Sequence, residues 1–491
     1  NSKEKQALIR AVCKNGVILL TDSDGAGFVI RNHVKSAIDN RCLKHAYIPD
    51  IYGKEKRIPV VDSVDVLVVG GGPGGLGAAV MAGRSGWKTL LAERFGALGG
   101  MAFHGEVNPF MYNHFEKRSM DRPVFIDWCT KMQQYYSPAE SQRIPFDPSY
   151  GSTLLSKEFA MLAMEDLVLE SNCMIRYHHL LADVIKEEGT LRYALFQTKS
   201  GLCAVESRIF IDSTGDGDLA FLAGCRYEMG NSDGECQPMS TCFKLSNVDL
   251  KRIPSRAEIN VLYEKAKSAG TLHCPREDVL YFTAIDENTL HFNTTRIIKK
   301  SAVDTEKHLA CRDFAKCKGA GFKVGNRAIF LIGNPARAFL RGHHILHRQL
   351  RELVKFFREQ VPGFENASLH SLASTVGVRE SRRILGKVYQ TEEDFHNRAK
   401  YSDAIARCNY TIDIHNPSGS GTYCVRMPKN EWYEIRYGAL VPESCTNLLM
   451  GCRAISVDHA LHSSIRIMPS ICSIGQAAGM AAALAVRKNS T

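Results

Sequence analysis

The chain has 491 residues, 44% of them hydrophobic and 23% charged, with a formal net charge of +10 at pH 7. That length suits about two to four domains around a large buried core, and the composition is that of an ordinary globular protein. No charge-free apolar stretch of about 18 residues stands out, so no membrane span is expected, and sixteen scattered cysteines with no Cys-x-x-Cys pair argue against a disulfide scaffold, a structural zinc or an iron–sulfur cluster.

The thiols read as buried side chains in a reducing cytoplasm, and the first residues, NSKEKQALIR, as neither a signal nor a transit peptide. Residues 1–60 carry 11 Lys/Arg against 6 Asp/Glu, half of the net excess in an eighth of the chain. This suits an anionic partner, and a solvated basic face accounts for it equally well. Gly16 to Leu20 predicts a buried strand, ending in Asp22-Ser23-Asp24-Gly25, with a helical stretch near 28–39. Two carboxylates two residues apart at a strand end can share Mg²⁺. The segment LLTDSDGAGFVIRNHV, with the later HAYIPDIYGKEKR, resembles the toprim domain of the ribonuclease M5 and primase type. The resemblance implies metal-dependent phosphodiester chemistry with Asp22 and Asp24 as Mg²⁺ ligands. Toprim nucleases also take a glutamate from an earlier strand, and no such strand precedes Gly16. A degenerate structural or docking module is therefore the other reading.

Residues 64–100 read VDVLVVGGGPGGLGAAVMAGRSGWKTLLAERFGALGG. The order is strand, glycine turn, small-residue helix, second strand (Lys88 to Ala92) and acid. Gly70 permits the tight turn, Gly72 lets backbone approach a pyrophosphate, and Gly75 lets helix and strand pack closely. The helix N-terminus presents free N–H groups and a partial positive charge to phosphates. Glu93, 23 residues after Gly70, stands where a carboxylate accepts ribose hydroxyls. Together these predict a dinucleotide site.

Two further strands are expected near 191–198 and 202–206, then a strand and sharp turn in Ser207-Arg-Ile-Phe-Ile-Asp-Ser-Thr-Gly-Asp-Gly-Asp218. A helix over 343–358 is amphipathic, with Ile345, Leu346, Leu350, Leu353 and Phe357 on its core-facing side. Val376-Gly-Val-Arg-Glu-Ser-Arg-Arg-Ile-Leu-Gly386 puts Arg379, Arg382 and Arg383 beside Glu380. Asn447-Leu-Leu-Met-Gly-Cys-Arg453 leads through Arg466-Ile-Met-Pro-Ser into a small-residue helix, Ile474-Gly-Gln-Ala-Ala-Gly-Met-Ala-Ala-Ala-Leu. On these four ordered motifs, from about Val64 to Lys488, the chain resembles the FAD-dependent oxidoreductase family with a glutathione-reductase-type fold.

The resemblance implies an α/β fold: a Rossmann FAD-binding domain with an inserted β-rich substrate domain, plus the small α/β N-terminal toprim-like module. The boundaries it suggests are 1–60 for that module; 61–104, 151–229 and 371–491 for the FAD-binding domain; and 105–150 and 230–370 for cap and substrate segments. FAD is the implied cofactor. Gly70, Gly72, Pro73, Gly74, Gly75 and Glu93 would hold its ADP half, and Arg94, Gly99, Gly100 and Met101 would run past the diphosphate. Thr214, Gly215 and Asp216 would close the nucleotide fold. Gly451, Ser473, Gly475 and Gln476 would meet the ribityl and pyrimidine parts. Many relatives carry Gly-Asp at the ribityl loop where this chain has Gly451-Cys452-Arg453, which leaves the ribityl partner open.

No second GxGxxG follows residue 100, so a dedicated NAD(P)H domain is not expected. The leading reading is hydride transfer between a small organic substrate and non-covalent FAD, with an electron acceptor or donor left open. The rival is a nucleic-acid-processing toprim-type protein whose FAD body is regulatory or structural. No membrane and no nucleic-acid partner are expected on the first reading; a homo-oligomer is left open. Candidate catalytic residues are His291, Arg296, His462 and Arg379. His291, Asn293 and Arg296 alternate along a strand, and His104, His459 and His462 flank presumed flavin loops as candidate bases. Arg379, Arg382 and Arg383 offer forks for a substrate carboxylate, against a structural ion-pair network with Glu380.

Overall fold

An unbroken apolar run such as Val64 to Val69 suits a strand covered on both faces. In the computed structural model it is the C-terminal part of β1, Val60–Val69, buried without interruption from Val66 onward. The described residues are 17–21, 43–47, 58–144, 146–147, 151–152, 154–283, 286–303, 321–324, 327–330 and 336–490. The chain divides into two compact units, Asn1–Pro59 with Asp313–Ile332, and Val60–Arg312 with Gly333–Thr491. In the first, strands Val17–Thr21 and Leu43–Tyr47 pair in parallel, and Gly321–Val324 pairs antiparallel with Arg327–Phe330. Asp22 and Asp24 lie outside the described residues.

The second unit is built on a seven-stranded sheet. β1 pairs in parallel with β2 (Thr89–Ala92), which pairs in parallel with Cys173–Arg176. On its other edge β1 pairs in parallel with β3, Gly201–Asp212, and β3 with Leu448–Met450. Expected as two strands, 202–212 is one: its first half ladders antiparallel onto Thr190–Thr198 while its second half runs beside β1. Between β1 and β2 the chain crosses through helix α1, Pro73–Arg84, the parallel βαβ unit expected from the glycine pattern.

Around residues 243–372 a second sheet orders Tyr281–Thr283, Leu290–Phe292, Phe243–Ser246 and Ser368–Leu372, all antiparallel. It shares an apolar cluster of Phe243, Phe292, Phe357 and Phe364 with helices Arg256–Ser268 and Ala336–Gln360. The amphipathic helix thus starts seven residues earlier than its pattern suggested. Leu346, Leu350, Leu353 and Phe357 face inward as expected, whereas Ile345 is exposed.

The last helix, α2, Met468–Lys488, lies along α1. Contrary to the sequence expectation, it carries a charge-free stretch long enough to cross a membrane, but 67% of that stretch is buried within the fold. Its small residues meet backbone rather than lipid. A Cβ on Gly475 would stand 1.9 Å from the Gly74 carbonyl oxygen, and one on Gly479 2.3 Å from that of Ala78. In the reverse direction, a Cβ on Gly77 would meet the Cys472 carbonyl oxygen at 2.1 Å. Ser473 fixes the helix laterally by donating to Asp121 Oδ1 at 2.7 Å, while Asn113 Nδ2 donates to Asp121 Oδ2 at 2.8 Å.

Two outcomes follow from this packing. Gly475→Ala gains about 1 kcal/mol of helix propensity, but the clash costs roughly 3 kcal/mol or more. We expect a lower Tm or insoluble protein, measured by thermal unfolding. Burial pushes the Asp121 carboxyl up to about 7, against the two donated hydrogen bonds. A carboxyl raised on folding contributes stability that is complete below its unfolded value and is lost as pH rises through the folded one. Stability should therefore fall by about 3 kcal/mol between pH 4 and 7 from this group. Asp121→Asn, in which Ser473 turns to accept, should flatten that part of the pH–stability curve.

Candidate functional site: a cleft at the glycine turn

The glycine turn emerges from β1 between two other chain segments. Gly70 (φ +105°) donates its N–H to the Ala92 carbonyl at 2.8 Å, and a Cβ there would stand 2.3 Å from the Ser213 carbonyl oxygen. A Cβ on Gly75 would lie 1.9 Å from the Gly70 carbonyl oxygen. Gly72 differs: its extended backbone tolerates a side chain, and a Cβ would meet only Gly100 Cα, at 3.7 Å. Gly72 borders a cleft enclosing about 1140 Å³ of empty space, with its open mouth included.

One end of the cleft is set by Glu93. Its carboxylate accepts the Gly71 N–H at 2.6 Å and the Phe95 N–H at 2.9 Å, which fixes it at the end of β2. Each oxygen keeps a further lone pair for a hydroxyl donor. His179 and Leu180 line this end because the His179 N–H is bonded to the Glu93 carbonyl.

The middle is electropositive. α1 begins there with Gly72 as an N-cap lacking a side-chain acceptor and with no acid in its first turn. Its free N–H groups are left for an anion. Opposite runs Thr214-Gly215-Asp216, held by buried Asp212, whose carboxylate accepts from Thr214 N, Thr214 Oγ1 and Ala220 N at 2.7–3.0 Å. Burial raises the Asp212 carboxyl to about 6 against those bonds. Arg453 reaches Asp216 at 2.6 Å, and its Nε is buried without a partner.

The far end is lined by Thr375, Val376, Val378, Arg466, Met468 and Ile471. α2 starts here, and it too has no side-chain cap and no acid in its first turn. His104 also lines the cleft; its Nε2 faces the Ala97 carbonyl at 3.0 Å and its Nδ1 the Ser374 hydroxyl at 3.3 Å. Burial lowers its pKa, so the ring is neutral at pH 7.

Of the residues expected to hold the cofactor, Gly70, Gly72, Pro73, Gly74, Glu93, Arg94, Gly100, Met101, Thr214, Gly215 and Asp216 border the cleft. Gly75, Gly99, Gly451, Ser473, Gly475 and Gln476 do not. Gly75 and Gly475 are spent on backbone packing, and Gly451 presses on Ile211 and Ser213. Gly99 caps the short helix Gly100–Phe103. α2 starts at Met468, so Ser473 and Gln476 sit more than a turn inside it. Gln476 bonds the Val124 N–H and the Arg122 carbonyl instead.

None of the four expected catalytic residues, His291, Arg296, His462 and Arg379, lines the cleft. The strand ends at Phe292, so His291 does not share a face with Asn293. It packs beside Phe282 with both nitrogens unpartnered, and burial pushes it down to about 3. His462 is likewise buried, unpartnered and held well below the usual imidazole range. Arg296 pairs with Glu277 at 2.8 Å, and Arg379 bonds the Pro238 carbonyl at 2.7 Å. Arg382 and Arg383 are structural: the first reaches Asp218 at 2.8 Å, the second Glu380 and the Val457 carbonyl. Glu380 also holds His459 at 2.9 Å. Sequence reasoning passed over Thr375, Val378 and Arg466 as lining residues, and over Asp212 behind the wall. All but Thr375 had a signal, standing inside quoted motifs.

The glycine geometry and the Glu93 carboxylate fit a dinucleotide. The profile of the family described as FAD dependent oxidoreductase matches residues 65–491. The chain belongs to the FAD-dependent oxidoreductase family. FAD is its cofactor. The chain is also similar to dihydrolipoyl dehydrogenase of Trypanosoma brucei brucei, 55% identical over 42 residues, which is 9% of either protein. A solved geranylgeranyl bacteriochlorophyll reductase-like protein from Thermoplasma acidophilum shares 14% identity at a TM-score of 0.40, over 87% of this chain and 78% of that one. A p-nitrophenol 4-monooxygenase from Pseudomonas putida shares 11% at 0.35, over 67% and 70%.

Gly72→Ala separates cofactor binding from folding. Its Cβ has room in the protein and would narrow the cleft at the position where the glycine fingerprint brings backbone to a pyrophosphate. We expect a Tm within about 1 kcal/mol equivalent of the parent, together with at least a tenfold loss of FAD affinity, read by flavin fluorescence on dialysis.

Proposed function

We propose that this flavoenzyme transfers hydride between a small organic substrate and non-covalently bound FAD. The observation that carries the reading is the cleft's polarity along its length: a fixed carboxylate at one end, the bare start of α1 and Arg453 in the middle, and the bare start of α2 with a mixed apolar and Arg466 wall at the other. Glu93 would hold the ribose of the adenosine half, and Gly72 with the start of α1 the diphosphate. The start of α2 would favour negative charge on the ring system. FAD supplies the two-electron acceptor. The chain's own residues orient the substrate, exclude water and take a proton, and of the candidate bases His104, His291, His459 and His462, His104 borders the cleft.

The test is anaerobic. Acid treatment of the purified yellow protein should release free FAD. A panel of hydroxy, amino and unsaturated acids should then contain a compound that bleaches the flavin, with a primary isotope effect of about 2 or more when the transferred hydrogen is deuterium. Incorporation of labelled oxygen from O₂ into the product would instead make the protein a monooxygenase and sink the hydride reading.

A further inference from the structure

Beside the Arg466 end of the cleft lies a buried group of four arginines. Arg276, Arg296 and Arg379 are each at most 8% exposed. They gather around His415: Arg296 lies 3.4 Å from His415 Nδ1. Gln237 Oε1 accepts from both the His415 N–H and Arg466, at 3.3 Å each. Arg379 enters from the strand side through Ser240 Oγ at 3.0 Å and Asn293 Oδ1 at 3.3 Å. All four guanidinium groups, by their charge, hold the buried His415 ring well below the usual imidazole range, after burial itself.

The charges do not balance. Arg296 has Glu277 at 2.8 Å, Arg276 has Asp278 at 3.0 Å and Arg466 has Asp413 at 3.6 Å. Among the described residues, Arg379 has only neutral acceptors. A buried cation without a counter-charge is costly, and burial with the neighbouring arginines pulls Arg379 down to about 9. Donors are also left over: Arg276 NH1, Arg466 Nε and Gln237 Nε2 are buried with no partner. Among the described residues, one unmatched positive charge and three unpartnered N–H donors leave the cluster short of an anion such as a carboxylate. Arg466 lines the cleft and Arg379 follows Val378, which lines it too.

We infer that Arg379, with Arg276, Arg466 and Gln237, binds the carboxylate of a small organic acid in the buried cluster behind this end of the cleft, reached past Arg466, the one of the four that lines it. The inference rests on the flavoenzyme reading of the cleft, but its test reads ligand binding, and flavin content reports separately on that reading. The roof is the turn between Ile412–His415 and Thr422–Val425, pinned by Arg296 to the Gly419 carbonyl at 3.2 Å and by the Gly421 N–H to Glu277 at 3.1 Å.

The holoprotein is titrated by calorimetry and by flavin difference spectra with lactate, succinate, their amides and inorganic phosphate. Saturable binding of a carboxylate that perturbs the flavin, with no binding of the matching amide, is expected. Arg379→Met should lower that affinity at least about tenfold while raising or keeping Tm, because an unpaired buried charge is removed. Gln237→Glu keeps both acceptor contacts and supplies the missing charge, so it should abolish carboxylate binding and raise Tm. Unchanged affinity in both variants, or a fall in Tm in both, would make the cluster structural and overturn the inference. So would phosphate binding as tightly as the carboxylates without perturbing the flavin. Carboxylate binding by calorimetry to protein that lacks flavin would support the anion site and count against the hydride reading alone.

Discussion

Two helices from opposite ends of the second unit touch through their backbones. Pro73–Arg84 and Met468–Lys488 approach until a methyl group on Gly77, Gly475 or Gly479 would overlap a carbonyl oxygen of the other helix. That contact draws the C-terminal helix to the glycine turn and sets its uncapped start at the far end of the cleft. It also spends glycines that a sequence motif assigns to ligand. Gly475 and Gly75 serve packing, and Gly72 is left facing the open space.

The cleft then works by charge placement. Helix starts without caps or acids supply partial positive charge along its middle and far end, and Glu93 sets a carboxylate at the remaining end. Buried carboxyls behind this wall, Asp212 and Asp121, do not meet ligand. One shapes the Thr214 turn and the other ties the last helix to the segment around Asn113. Each is held at a raised pKa by burial against donated hydrogen bonds. Arginines divide in the same way. Arg382 and Arg383 are matched to carboxylates, and Arg379, one turn of chain away, is not.

The βαβ unit was legible from its own residues because strand, turn and helix are neighbours in sequence and each rule is local. The run Val64 to Val69, the Gly70 turn and the Glu93 acid all stand where spacing put them. What was misread needed distant partners. The strand 202–212 looked broken at Ser207 because its two halves pair with different strands. The C-terminal helix, charge-free over a membrane-length stretch, is a core helix because Pro73–Arg84 covers it.

The sequence by itself determined the cofactor class, the nucleotide-binding half of the cleft and the family, since a phosphate-binding turn is specified by a few adjacent residues whose backbone must adopt one shape. Only the tertiary structure decided which side chains share the cleft. His291 and His462 look like bases in a list of histidines, yet burial without partners leaves them neutral and closed off. Arg466 and Arg379, 87 positions apart, both bring their charge to His415, with too few acids among the described residues to match them. Charge balance in a low-dielectric interior depends on distance in space, and spacing along the chain does not encode it.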